Sequence, residues 1–168
     1  MKLALTGTPG TGKSTVADLV DEGFKVLHVN DLVREGYNQG LDEERSCLVA
    51  DIPRLSRYVK GLEGDVILEG HISHLLPVDI VVVLRASPAT LRVRLKYKGW
   101  SEAKVRENVE AEALDVILVE ALDTHKKVYE IDTTNMTPMQ VRDSVVEIIK
   151  GTDKYRPGGL DFSEEAFL

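Results

Sequence analysis

Between residues 3 and 20 the chain orders its residue types in a way few folds accept. Leu3-Ala4-Leu5 is a short apolar run, Gly7 to Gly12 a turn rich in glycine, and Lys13-Ser14 opens the helix-like stretch Ser14-Thr15-Val16-Ala17-Asp18-Leu19-Val20. Gly7 to Ser14 spell G-x-x-x-x-G-K-S, the P-loop pattern, which carries meaning only between a strand and a helix. Glycines let the backbone fold closely enough for successive N–H groups, those of Gly10, Thr11 and Gly12 among them, to line one concavity that holds phosphate oxygens. The positive end of the following helix, from Lys13 through Thr15, adds to that attraction. Lys13 is expected at the β- and γ-phosphates and the Ser14 hydroxyl on Mg²⁺. The bland alternative, a glycine-rich turn capping a helix, does not require the apolar run in front.

A chain of 168 residues suits one domain with a substantial core, and 43% hydrophobic with 29% charged residues is ordinary for a soluble globular protein. The single Cys47 excludes an internal disulfide framework. No apolar run is long enough to span a bilayer and no secretory h-region precedes the P-loop, so no membrane is expected and the cytoplasm (or nucleus, in a eukaryote) is the expected location. A net charge of −7 argues against strong direct nucleic-acid binding. Against that background, Arg85, Arg92, Arg94, Lys96, Lys98, Lys104 and Arg106 lie within one segment that holds a single acid, Glu102. This imbalance suggests a confined polyanionic ligand; a solvated helix face explains part of it.

Strand-like runs recur at Lys2–Thr6, Lys25–Val29, Asp65–Glu69, Ile80–Arg85 and Val128–Asp132, with helical patterns between them. The order predicts an α/β fold: a three-layer α/β/α arrangement on a five-stranded parallel sheet buried on both faces. Ser87-Pro88 marks a helix start and Gly99 its end, and Thr137-Pro138-Met139-Gln140 reads as a capping box before a helix that stops at Gly151. Ser101 to about Asp123 is expected as one long helix. Asp31–Arg34 suggests a short helix, and Asp42 to about Lys60 a longer one interrupted near Pro53, inside an insertion covering about residues 30–64. Residues 151–168, glycine-bearing and acidic, are expected to be mobile or docked as an irregular arm.

Several residues are candidates for chemistry. Glu69, at a strand's carboxyl end, is placed to organise Mg²⁺, directly or through water; acids also simply end strands. His71 suits the positioning of a water or phosphate near neutral pH. His74, three residues on, reads as a surface or packing residue, and a zinc pair with His71 lacks further ligands. Arg94 and Lys98 share a helix face on a segment suited to a cationic cover, while Arg92 and Lys96 are equally structural or solvated. Arg34 offers a guanidinium for an acceptor's phosphate, or an ion pair. Asp132-Thr133-Thr134-Asn135, after the last strand, is placed to receive a base through backbone groups, or is only a turn.

Gly7–Ser14, Asn30-Asp31-Leu32-Val33-Arg34, Glu69-Gly70-His71, Leu84-Arg85 and the stretch Arg94–Lys104 together resemble the small adenylate kinase-like NTPases of archaea and the eukaryotic nucleus, the coilin-interacting nuclear ATPase type. The resemblance runs from Met1 to about Lys150 and includes Asn108 and Glu112. It implies one domain over 1–150, with an AMP-binding insertion and a short zinc-free lid at about 94–106. It implies ATP + AMP ⇌ 2 ADP with slow ATP hydrolysis, and a role in small ribosomal subunit maturation. By the same resemblance Lys13, Arg94 and His71 are catalytic, and Gly10 to Thr15, Arg94 and Asn135 bind ATP. Asp31, Arg34 and Gly70 fall on the AMP side, and Ser14 and Glu69 on the metal. The partner implied is a platform ribosomal protein on pre-40S or 30S-type particles. Glu69 stands where the family pattern has Asp, and Lys98 where it often has Arg. A nucleotide-switched assembly factor whose ATPase is the physiological activity, and a kinase of another small metabolite, remain as alternatives.

Overall fold

A computed structural model describes residues 1–165 of the chain. Five parallel strands, β1 (Lys2–Thr6), β2 (Lys25–His28), β5 (Val66–Glu69), β6 (Ile80–Arg85) and β7 (Val128–Asp132), form one sheet in the order β2-β5-β1-β6-β7. A hairpin of β3 (Asn38–Asp42) and β4 (Cys47–Ala50) stands apart from it. Every residue of β5 and β6 is buried, which is why those strands read as continuous apolar runs.

β1 shows how the layers form. Leu3 and Leu5 point to one face, where α1 (Lys13–Leu19) and α7 (Pro138–Lys150) cover them with Val16, Ala17, Val141, Val145 and Ile148. Ala4 points to the other, against Leu118 and Ala121 of α6 (Val116–Thr124). On that second face Val66 and Leu68 meet Leu55 and Val59 of α3 (Ile52–Lys60) and the short α2 (Val29–Arg34). A helix pair, α4 (Pro88–Tyr97) and α5 (Glu102–Ala113), makes its own small core from Leu91, Leu95, Val105 and Val109 beside Trp100.

The capping box forms as expected: Gln140 N–H donates to Thr137 Oγ1 at 3.3 Å, and Thr137 N–H to Gln140 Oε1 at 2.8 Å. Two expectations are corrected. The helix expected from Ser101 to Asp123 is two helices, because Asp115 adopts a left-handed conformation (φ 55°) and turns the chain between Ala113 and Val116. The helix expected from Asp42 is the second half of a hairpin, and helix begins only at Ile52. There Asp51 accepts from Arg54 N–H and Pro53 sits in the first turn, so the proline starts the helix rather than interrupting it.

Beyond Gly151 the described chain crosses the sheet's edge. Glu130 N–H on β7 donates to Tyr155 O at 2.9 Å, Gly158 N–H donates to Glu130 Oε2 at 2.8 Å, and the Phe162 ring lies 5.5 Å from the Arg85 guanidinium carbon. Glu165 then accepts from Ala89 N–H in the first turn of α4 at 3.3 Å. The arm thereby occupies a backbone N–H that an edge strand would leave open. No helix among the described residues is long and apolar enough to cross a membrane.

Candidate functional site

The P-loop leaves β1 where the strand's carboxyl end opens between its neighbours β5 and β6. Gly7 is dictated by space: a Cβ there would stand 2.2 Å from Leu84 O on β6. Gly10 and Gly12 take φ of 95° and 94°, turning the backbone around a hollow ahead of α1. Among the described residues the N–H groups of Gly10, Gly12 and Lys13 meet no backbone carbonyl, so they remain for a ligand. Thr8 O closes the turn on itself, accepting from Thr11 Oγ1 at 2.9 Å and from Lys13 Nζ at 3.1 Å. The Lys13 ammonium is buried, and desolvation pushes its pKa down to about 8. Glu69 and Glu112 oppose that shift, whereas the nearby Lys98 adds to it. Ser14 and Thr15 are exposed at the helix start.

Glu69 is buried at the end of β5, with His28 Nδ1 2.8 Å from its Oε2. That hydrogen bond holds the His28 pKa above the ordinary imidazole value. His71 stands on the loop beyond β5 with surface open to solvent. Surrounding protein still desolvates the ring, and Lys13 adds to the effect, so its pKa lies below the ordinary value. Thr6 Oγ1 fixes this loop by donating to His71 O at 3.4 Å. His74 is a packing residue, fully buried, with Nδ1 3.0 Å from Thr6 Oγ1 and Nε2 2.9 Å from Glu120 Oε2. It therefore has no nitrogen left to share with His71. The exposed Ser14 hydroxyl and the Glu69 carboxylate are hard oxygen donors, a set that fits Mg²⁺.

Arg94 ties the P-loop to the loop after β7, donating to Gly10 O at 3.2 Å and Thr133 O at 3.3 Å. Thr133 Oγ1 in turn donates to Thr11 O at 3.3 Å, so the loop ending in the exposed Asn135 lies against the P-loop. The basic segment resolves differently from its sequence appearance. Arg85 is interior, bound to Glu112 at 2.7 Å, to Glu130 at 2.6 Å and to Asp115. Arg92 and Lys96 share Glu102, Arg106 pairs with Glu110, and Lys104 lies over the Trp100 ring at 4.1 Å. Glu112 carries this buried node to the P-loop, accepting from the Thr8 hydroxyl and from Ala86 N–H.

On the other side of the crevice, Gly70 is buried, and a Cβ there would sit 3.1 Å from Val29 Cβ. Arg34 and Asp31 are exposed and paired with each other. The hairpin's Arg45 reaches Glu107 of α5 at 3.7 Å. His28 was not among the residues expected at the site. Its signal was positional: it ends the strand paired with β5, in register with Glu69.

A family model described as an AAA domain matches residues 3–115. An Archaeoglobus fulgidus protein named "Putative adenylate kinase" is 50% identical over 98% of this chain and 93% of its own length. A Pyrococcus abyssi protein of the same name is 43% identical over 98% of this chain and 92% of its own. Among solved structures, shikimate kinase from Bacteroides thetaiotaomicron covers 90% of this chain and 99% of its own at TM-score 0.60 and 14% identity, a likeness of fold. The chain belongs to the P-loop family that these archaeal proteins represent.

Proposed function

We propose that the protein is a nucleotide kinase that moves a phosphoryl group from ATP to AMP. The observation that carries this reading is the concentration of positive charge at the P-loop. Lys13 is buried and desolvated, Lys98 acts on it from the lid, and Arg94 is anchored on Gly10 and Thr133. Such a site binds a polyanion and stabilises charge on a transferring phosphoryl group. The P-loop N–H groups and Lys13 hold the donor phosphates, and Thr133 to Asn135 face the base. Arg34, released from Asp31, grips the acceptor's phosphate, on the same side of the crevice as Gly70. Ser14 and Glu69 hold Mg²⁺, which when bound neutralises the β- and γ-phosphate oxygens. No protein nucleophile is needed, because the acceptor phosphate attacks. Product analysis with Mg-ATP and each nucleoside monophosphate tests this: ADP should form rapidly with AMP in a 2:1 ratio to AMP consumed. Phosphate release indifferent to every monophosphate would overturn it.

His71 favours a second role alongside the first. Its ring is open to solvent yet held toward the neutral form, beside Lys13 and Glu69, where it can orient a water for slow ATP hydrolysis. In this reading hydrolysis switches affinity for a basic ribosomal protein during small-subunit maturation, and the net charge of −7 favours such a partner. Phosphate release without AMP that responds to the partner, and is lost in His71→Ala, is the expected result; unchanged release in His71→Ala would refute it.

A further inference from the structure

β2 and β5 run side by side, and their register sets His28 opposite Glu69 at the ends that open onto the crevice. The imidazole is clamped from two sides. Nδ1 lies 2.8 Å from Glu69 Oε2, and Nε2 lies 3.3 Å from Asp18 Oδ1 on α1. No hydrogen bond to Glu69 Oε1 forms among the described residues, so one carboxylate oxygen is tied and the other is available. Glutamate carries one more rotatable bond than aspartate, and an untethered glutamate samples more rotamers.

We propose that His28 is a positioning residue for Glu69, its Nδ1–H fixing the longer acid so that Oε1 is presented to the Mg²⁺ site beside Ser14. This rests on the reading of Ser14 and Glu69 as metal-organising groups. Groups that orient a ligand from behind commonly matter about 10- to 100-fold in metal affinity. A purely structural ion pair between strand ends would leave metal binding untouched, which makes the two roles separable.

The test titrates Mg²⁺ into the full chain with ADP present, followed by calorimetry, with Mn²⁺ binding read by electron paramagnetic resonance. His28→Ala should raise the half-saturating Mg²⁺ about 10- to 100-fold while metal-free ADP binding is unchanged. His28→Asn places an N–H where Nδ1–H stood and should restore most of the loss. His28→Gln, whose N–H falls nearer the Nε2 position, should not. Asp18→Ala, which touches only the far nitrogen, should match the wild type. Equal half-saturation in wild type and His28→Ala, or an Asn variant no better than the Gln variant, would overturn the inference alone; the Asn and Gln pair decides it even where the Ala chain is poorly folded. Wild-type ADP binding indifferent to Mg²⁺ would remove the metal reading and the inference together.

Discussion

Lys13 gives the sharpest quantitative expectation. In the unfolded chain its ammonium is solvated and titrates near 10.5; in the fold burial brings it to about 8. At about 1.4 kcal/mol per pH unit, the folded state bears about 3 kcal/mol for keeping Lys13 charged at pH 7. Between pH 8 and 10.5 the unfolded chain binds more protons than the folded one, so this contribution makes stability rise with pH across that window. Lys13→Met keeps the side chain's bulk and removes the charge. Its stability advantage over wild type should be greatest at pH 7 and should shrink by about 3 kcal/mol by pH 10.5. Urea unfolding of both chains across the range measures that difference, and titrating groups not coupled to Lys13 cancel in it. A bound triphosphate supplies the missing counter-charge and raises the Lys13 pKa, so nucleotide binding at pH 9 should take up a proton. Calorimetry in buffers of differing ionisation enthalpy reads the uptake. Parallel pH curves for the two chains, with no proton uptake on binding, would refute the reasoning.

Glu112→Ala leaves the fully buried Arg85 without a main partner and should destabilise by about 3–5 kcal/mol in denaturant unfolding. Thr8→Val removes only the hydroxyl that Glu112 Oε2 accepts; it should cost about 1–3 kcal/mol and weaken ATP binding, read by calorimetry. Gly7→Ala should destabilise by at least about 3 kcal/mol, since its Cβ would meet a strand carbonyl at 2.2 Å; thermal unfolding checks this. Arg34→Ala should change stability by less than about 1 kcal/mol, because its ion pair is exposed, yet raise the KM for AMP with ATP binding intact.

The sheet was legible because its signals are local. Val66 to Leu68 and Ile80 to Leu84 are apolar without alternation, and burial on both faces produces that pattern. The helix starting at Thr137 was legible through its capping box. The break at Asp115 was not, since Ala113 to Val119 is apolar nearly all round and a single left-handed residue leaves no periodic trace. The hairpin was hidden for a related reason. Its strands are mostly exposed, so Asn38 to Ala50 lacks the alternation that marks a half-buried strand. At the site, the P-loop and Glu69 could be read from their own segments. His28 and the Thr8–Glu112 link depend on which strands and helices become neighbours, and that is a property of the packed sheet.

The basic segment from Arg85 to Arg106 shows why charge counted along a sequence misleads, and what remains once it is counted in space. Arg85 is consumed by buried acids, and Arg92, Lys96 and Arg106 by surface ones. Among the described residues Arg94 meets carbonyl oxygens, and Lys98 disfavours the charge on Lys13. A chain with 28 acidic and 21 basic residues has acids enough to neutralise all three. Glu69 and Glu112 act on Lys13, and His28 holds one of the Glu69 oxygens. Desolvated positive charge at the mouth of a loop whose N–H groups meet no backbone carbonyl among the described residues favours an anion from outside. Three cations and a row of amides suit several phosphate oxygens better than one. That allocation of charge, more than the P-loop spelling alone, supports the proposed nucleoside triphosphate.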